Sequence, residues 1–167
     1  ANARGTSEGE ILSFTTLQSN IVVHNGLSNS SPLLVPGQEI NFGATPFNTP
    51  VVRNFTIENI GDFALNVDGV ALTGAANGVF ALSGQFAEYS IAAGASGTFN
   101  VTLNHTTAGT FENTVSITSN DLDQSVIEFS VIGTLLAPPL LTNVTASDVT
   151  ALGVSFAGTV DPHGSAT

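Results

Sequence analysis

Apolar and polar side chains alternate in short runs along this chain, and each run ends in turn chemistry. In the stretch from Arg53 to Leu65, Phe55 and Ile57 share one parity while Asn54, Thr56 and Glu58 share the other. That is the period of a strand with one dry face and one wet face. Asn59-Ile60-Gly61-Asp62 stops the strand, and Leu65 and Val67 start the next one. The same alternation predicts strands at Leu12 and Phe14, at Ile21 and Val23, and at Ile40 and Phe42, the last ending at Gly43. Leu27 to Gln38, with Pro32 and Pro36, reads as a polar loop. The apolar parity slips between Leu65/Val67 and Val70/Leu72, and Asp68-Gly69 at the slip predicts a β-bulge. Further strands follow at Phe80/Leu82, Tyr89/Ile91, Phe99/Val101/Leu103, Val115/Ile117 and Ile127/Phe129/Val131.

This pattern predicts an all-β chain, because no stretch holds helix formers in a 3.6-residue register. Phe55, Ile57, Phe99, Val101, Val115, Ile117, Ile127 and Phe129 are expected to converge in one sandwich interior. Glu112, Thr114, Ser116 and Thr118 are expected to face outward. Ala137-Pro138-Pro139 then reads as a linker, since Pro cannot continue a central strand. Beyond it, Val154, Phe156 and Val160 alternate with Ser155, Ala157, Thr159 and Asp161. Two strands of this kind cannot bury a core by themselves.

Charge narrows the possible partners. The 167 residues carry a net charge of −11, with Arg4 and Arg53 as the two basic residues. Nucleic acid is not an expected partner, because no cationic surface exists to displace its counterions. Anionic membranes are excluded on the same ground, and no apolar run is long enough to span a bilayer. Without Cys there is no disulfide, thiol catalysis or thiolate metal site. No basic region followed by an apolar stretch opens the chain, so no signal peptide is read. With Met also absent, the sequence reads as a mature or internal piece of something longer.

Candidate chemistry is sparse. Gly5-Thr6-Ser7-Glu8-Gly9 matches the G-x-S-x-G nucleophile elbow, but the elbow needs a strand before it and a helix after it. Only four residues precede it here and a strand follows, so it reads as a Gly-rich loop. His24, His105 and His163 lie in separate segments without ligand spacing, and read as solvent-facing polar residues. Asn120, Asp121 and Asp123 offer oxygens to a calcium ion at a strand turn. Calcium takes six to eight ligands, and the competing reading is an Asx-stabilised hairpin turn. Asn29, Asn54, Asn100, Asn104 and Asn143 each open an N-x-[ST] triplet, which a chain so rich in Asn, Ser and Thr also produces by chance. No enzyme activity and no cofactor are expected.

The residues Phe55-Thr56-Ile57-Glu58-Asn59-Ile60-Gly61, with the Leu at 65 and the preceding Asn41-Phe42-Gly43, resemble the signature of bacterial choice-of-anchor D domains. These are relatives of the immunoglobulin-like hydin and abnormal-spindle modules. The ends resemble bacterial fibronectin type III-like repeats. Residues 1–16 are similar to the close of such a repeat. Gly158-Thr159-Val160-Asp161-Pro162-His163-Gly164 is similar to a motif near its opening. The resemblance implies an immunoglobulin-like antiparallel β-sandwich over 17–136. It would be flanked by the end of one fibronectin-like domain over 1–16 and the start of another over 137–167, a partial second sandwich at the ends. It further implies a structural or adhesive repeat segment of a large secreted or surface-displayed bacterial protein. Because the order is end, whole domain, beginning, neighbouring copies are expected to join head-to-tail into a stalk or filament. Leu12 and Phe14 of one unit would then lie near Val154 and Phe156 of the next. The alternative is a non-catalytic carbohydrate- or polymer-binding module of an extracellular enzyme. Exposed coplanar aromatics would support it, but the chain has one Tyr and no Trp.

Overall fold

A computed structural model of the chain describes residues 17–76, 78–84 and 87–161. Leu12, Phe14 and the Gly5–Gly9 loop lie outside the described residues. Eleven strands are described: β1 (Ile21–His24), β2 (Glu39–Pro46), β3 (Val51–Asn59), β4 (Leu65–Leu72), β5 (Phe80–Gly84), β6 (Tyr89–Ile91), β7 (Ser96–Leu103), β8 (Gly109–Ser119), β9 (Val126–Leu136), β10 (Leu140–Thr150) and β11 (Gly153–Asp161). One sheet runs β1-β3-β7-β5, a second runs β2-β9-β8-β4-β6, and β10-β11 is a separate hairpin. The first order matches the A-B-E-D sheet of an immunoglobulin-like sandwich, and β9-β8-β4 in the second matches its G-F-C sheet with β2 and β6 added at the edges, so the fold class is the one the alternation predicts.

The dry parity of each strand supplies the interior. Phe55 and Phe99 stack at 5.2 Å between ring centroids on one sheet, and Phe129 reaches across from the other sheet to 5.0 Å from Phe55. Ile57, Val101, Val115, Ile117 and Ile127 complete the same buried cluster, as the alternation requires. The bulge sits where the parity slips: between Val67↔Ser119 and Gly69↔Thr118 the β4–β8 register shifts by one residue.

Several expectations are corrected. Strand β2 does not end at Gly43 but continues to Pro46. Gly43 takes φ 80°, its N–H donates to Asn41 Oδ1 at 2.7 Å, and the β2–β9 register shifts there. A bulge with glycine in the left-handed region thus carries the strand past its break. The β2–β9 pairing is parallel within an otherwise antiparallel sandwich. Leu34, inside the supposed polar loop, belongs to the core. Thr56 and Ser116, on the supposed wet parity, are buried. For Thr56 the cause is the 25–31 turn folding over the sheet, where its Oγ1 donates to Gly26 O at 2.8 Å.

Strand directions sort the loops into two poles. The chain arrives beside the turns 60–64, 92–95 and 120–125, here called the proximal pole. Strand β9 then carries it the full height of the sandwich, and it leaves at the distal pole through Ala137-Pro138-Pro139.

Candidate functional site

Two buried polar side chains, Asn59 and Asp121, and the exposed Asn120 knit the proximal pole together. Asn59 closes β3 without exposure. Its Nδ2 donates to Phe63 O at 2.7 Å and Ile91 O at 3.0 Å, while its Oδ1 accepts from Gly61 N at 3.0 Å and Asn20 N at 3.3 Å. One amide thus fixes three separate segments, using both its donors and its acceptor. Gly61 is required beside it, because a Cβ there would collide with the backbone of Gln18, Ser19 and Asn20.

The β8–β9 turn is the second pin. Asp121 is 2% exposed. Its Oδ2 accepts from Ile21 N at 2.8 Å, and its Oδ1 accepts from Asp123 N at 2.8 Å and Gln124 N at 3.0 Å. Asn120 Oδ1 accepts from Asn66 N at 2.8 Å and Ser19 Oγ at 3.3 Å. Asp123 Oδ2 accepts from Gln18 Nε2 at 2.7 Å. Each of the three candidate calcium ligands therefore has an oxygen on a protein donor, and Asp121, accepting from the amides two and three residues on, makes the Asx turn. Among the described residues no group of three or more His, Asp or Glu side chains is placed to hold a metal ion. Excess chelator is expected to leave the melting temperature unchanged, and added Ca²⁺ is expected not to raise it. A rise of several degrees with Ca²⁺ concentration, followed by scanning calorimetry, would assign the turn to the ion.

Around these polar pins four large apolar side chains stand out among the exposed Asp62, Asn120, Asp123 and Gln124. Leu17, Ile60 and Phe63 are each more than half exposed, and Leu122 is 84% exposed. Backbone bonds hold their segments side by side: Asp62 N donates to Gln18 O at 3.0 Å and Ile60 N to Asn20 O at 2.9 Å.

His24 is not solvent-facing as expected. It is buried, with Nε2 at 2.9 Å from Glu58 Oε2 and Nδ1 at 2.9 Å from Ser31 O. The pair lashes the 25–31 turn to β1 and β3. Beside it an apolar cleft of about 230 Å³ opens between β1 and the first residues of β9, lined by Val23, Leu33, Val35 and Ile127. On the edge strand β6, the Tyr89 hydroxyl is buried without a hydrogen-bond partner among the described residues, and burial pushes the phenol up to about 12. His105 packs edge-on against Phe111 with centroids 5.9 Å apart. His163 lies outside the described residues.

At the distal side, β10 and β11 form a two-faced ribbon. Leu141 pairs with Val160 and Ala146 with Phe156, whereas Thr142 pairs with Thr159 and Ser147 with Ser155. A bulge over 143–144, with Asn143 at φ 52°, brings Val144 to the apolar side, where its Cγ2 would lie 3.5 Å from a Cβ on Gly158. One face is thus Leu141, Val144, Val154, Phe156 and Val160, and all five are exposed. The hairpin tip is also apolar: Val149 is 74% exposed and Leu152 is 100% exposed. A two-residue turn ordinarily takes Asn, Asp or Gly.

The family described as "Protein of unknown function (DUF1573)" matches residues 34–134. No curated protein matches the chain. Among solved structures, the chain is similar to the ASH / PapD-like domain of human CEP192 (PapD-like domain 7). The TM-score is 0.54 at 11% identity, over 81% of this chain and 99% of that one. It is also similar to a protein of unknown function from Porphyromonas gingivalis W83, with TM-score 0.53 and 14% identity over 73% of this chain; the match spans 50% of that protein's chain. A family 123 glycoside hydrolase from Clostridium perfringens aligns with TM-score 0.50 and 8% identity, over 72% of this chain and 28% of that one. At such identities the likeness is one of fold, and that fold is PapD-like and immunoglobulin-like.

Proposed function

Because this chain belongs to the DUF1573 family, whose members have no assigned function, we propose a role for it from the sandwich itself. It is a structural, adhesive repeat segment of a large secreted or surface-displayed bacterial protein, joined head-to-tail to its neighbours in a stalk or filament. Residues 17–136, which enclose the family match, form a domain of choice-of-anchor D type. Residues 1–16 and 137–167 are the end and the start of fibronectin-like units. It is not an enzyme, and its partners are adjacent copies or repeats.

One observation carries this reading. The chain reaches the sandwich at one pole and leaves at the other, into a hairpin whose apolar face is bare. Modules strung through opposite poles extend in line, whereas modules with adjacent ends fold back. A two-stranded ribbon is marginal in water, so the face holding Phe156 requires a cover from outside the described residues. In this reading the strand of Leu12 and Phe14 from the next unit supplies that cover. Such a contact is heterologous, and it propagates when its rotation does not close.

Sedimentation equilibrium tests the reading. The weight-average mass of the wild-type chain is expected to rise with concentration past two copies, without a plateau. Phe156→Asp is expected to hold it at one copy, with the sandwich melting unchanged. A wild-type mass that stays at one copy through about 1 mM, the range of a tethered neighbour's effective concentration, overturns the assembly.

A further inference from the structure

We infer that a bound proton fastens the 25–31 turn: His24 sits in the fold as an imidazolium between the Glu58 carboxylate and the Ser31 carbonyl, and the turn loosens when that proton leaves. This device stands apart from the head-to-tail reading and does not depend on it.

The hydrogen-bond partners of the ring carry the argument. Nε2 lies 2.9 Å from Glu58 Oε2, and Nδ1 lies 2.9 Å from Ser31 O. A carboxylate oxygen and a carbonyl oxygen both accept, so each ring nitrogen must bring an N–H. A neutral imidazole has one N–H and one bare nitrogen, and in either tautomer it would set a lone pair against one of the two oxygens. With Glu58 ionised, both contacts are made only when the ring is doubly protonated. The other oxygen of Glu58 accepts from Asn29 Nδ2 at 3.1 Å, which leaves Oε2 to the ring. His24 is 4% exposed, so water is a poor substitute for either acceptor. His105 has the opposite surroundings. Its Nδ1 accepts from Thr107 N at 3.2 Å, which requires that nitrogen to be bare.

Glu58 is the charged group that faces the ring. Residues 25–36 carry no ionisable side chain, β1 carries His24 alone, and β7, on the far side of β3, carries none. Arg53, the other charged residue of β3, has the opposite parity and donates to Asn41 O at 3.2 Å. The closed turn therefore binds one proton more than an open turn with neutral His24 and ionised Glu58. Closing is favoured as pH falls and opposed as pH rises, over the range of about pH 5 to 8 in which histidine changes charge. At the far end of the segment, Leu34 belongs to the core and its N–H donates to Val23 O at 2.8 Å. The opening is thus local. It uncovers Thr56, now covered by the bond of its Oγ1 to Gly26 O, and the outer edge of β1 at Asn25. A bare strand edge is a template for pairing with another chain, so the proton guards that edge.

Nitrogen-15 NMR of the ring nitrogens and hydrogen exchange of the turn test the device. At about pH 7, His24 is expected to show two protonated ring nitrogens, and His105 chiefly one. Asn25 N, which donates to Pro32 O at 2.9 Å, reports on the turn. Its protection factor, which removes the intrinsic pH dependence of exchange, is expected to fall at least about tenfold between about pH 5 and 8. That of Thr73 N, which donates to Thr114 O in the other sheet, is expected to stay level. Glu58→Gln separates the proton from packing. A glutamine amide accepts from Asn29 and donates to a bare Nε2, so a neutral His24 then makes both contacts. Protection at Asn25 N in this variant is expected to lose its pH dependence. A wild-type His24 ring holding one proton at about pH 7 overturns the device. So does level protection of Asn25 N in the wild type, or a Glu58→Gln variant whose protection falls with pH as the wild type's does. If Glu58→Gln fails to fold, the ring nitrogens and the exchange of the wild type decide it alone.

Discussion

Phe99→Ala is expected to destabilise the sandwich by about 3–5 kcal/mol, the range for truncating a fully buried aromatic. Phe99 has no exposed surface and lies stacked on Phe55, which in turn touches Phe129 on the opposite sheet. The three rings are therefore one contact across both sheets. Removing the first leaves a hole bounded by strand backbones that are held in register on both sides, β3 by eight pairs with β7 and β5 by five more. Such a site collapses poorly, which places the cost toward the upper part of the range. Urea unfolding followed by far-UV circular dichroism measures it. The midpoint should fall while the slope is kept, because the surface exposed on unfolding barely changes. A midpoint within error of wild type would mean that Phe99 does not share the core with Phe55.

The second large effect belongs to a polar residue. Asp121→Ala is expected to cost about 2–4 kcal/mol, since a buried donor that loses its partner costs roughly 1–3 kcal/mol and a turn is loosened as well. The three N–H groups it accepts are not equal. Those of Asp123 and Gln124 belong to exposed residues, and water replaces the carboxylate there. Ile21 N sits in a buried bond and has no such substitute. The loss should therefore act on the attachment of β1, 100 residues away in sequence. Hydrogen exchange of the Ile21 amide is the local readout, and Asp121→Asn, which keeps one acceptor oxygen, should recover about half the stability. A loss below about 0.5 kcal/mol, the scale of an ordinary surface substitution, would demote the carboxylate to a turn former.

Comparing these two residues shows which parts of the fold were legible in the sequence. Phe99 announces itself, because the alternation of Phe99, Val101 and Leu103 with Asn100 and Thr102 depends only on the two-residue period of a strand. The bulge at Asp68-Gly69 is legible for the same reason, as a break in parity. Asp121 reads as a turn residue, and it is one. Its bond to Ile21 cannot be read, because it depends on how two distant segments meet. His24 fails in the same way. A histidine on a short apolar strand looks solvent-facing until the 25–31 turn and Glu58 close around it. Thr56 has the parity of a wet position and becomes dry only because that turn lies over it. The run past Gly43 needed β9 as a template, and β9 lies some 90 residues downstream. As for the candidate site, the hairpin's Val154 and Phe156 were legible as strand positions, while Leu152 and the proximal pole were not. A lone leucine in a turn carries no period, and its significance depends on exposure.

The parallel pairing of β2 with β9 has a mechanical consequence. A pull on the chain from both sides drags the start of the sandwich toward the proximal pole and its last strand toward the distal pole. Parallel neighbours drawn in opposite directions are sheared, so the slanted bonds from Glu39↔Ser130 to Pro46↔Leu136 share the load instead of opening one after another. The same holds at β1, which is tied across its short length to β3 and at its first amide to Asp121. Under tension the lifetime of the unit is set by how fast it unfolds, and a fastening of this kind resists that step in the one direction along which the chain is threaded.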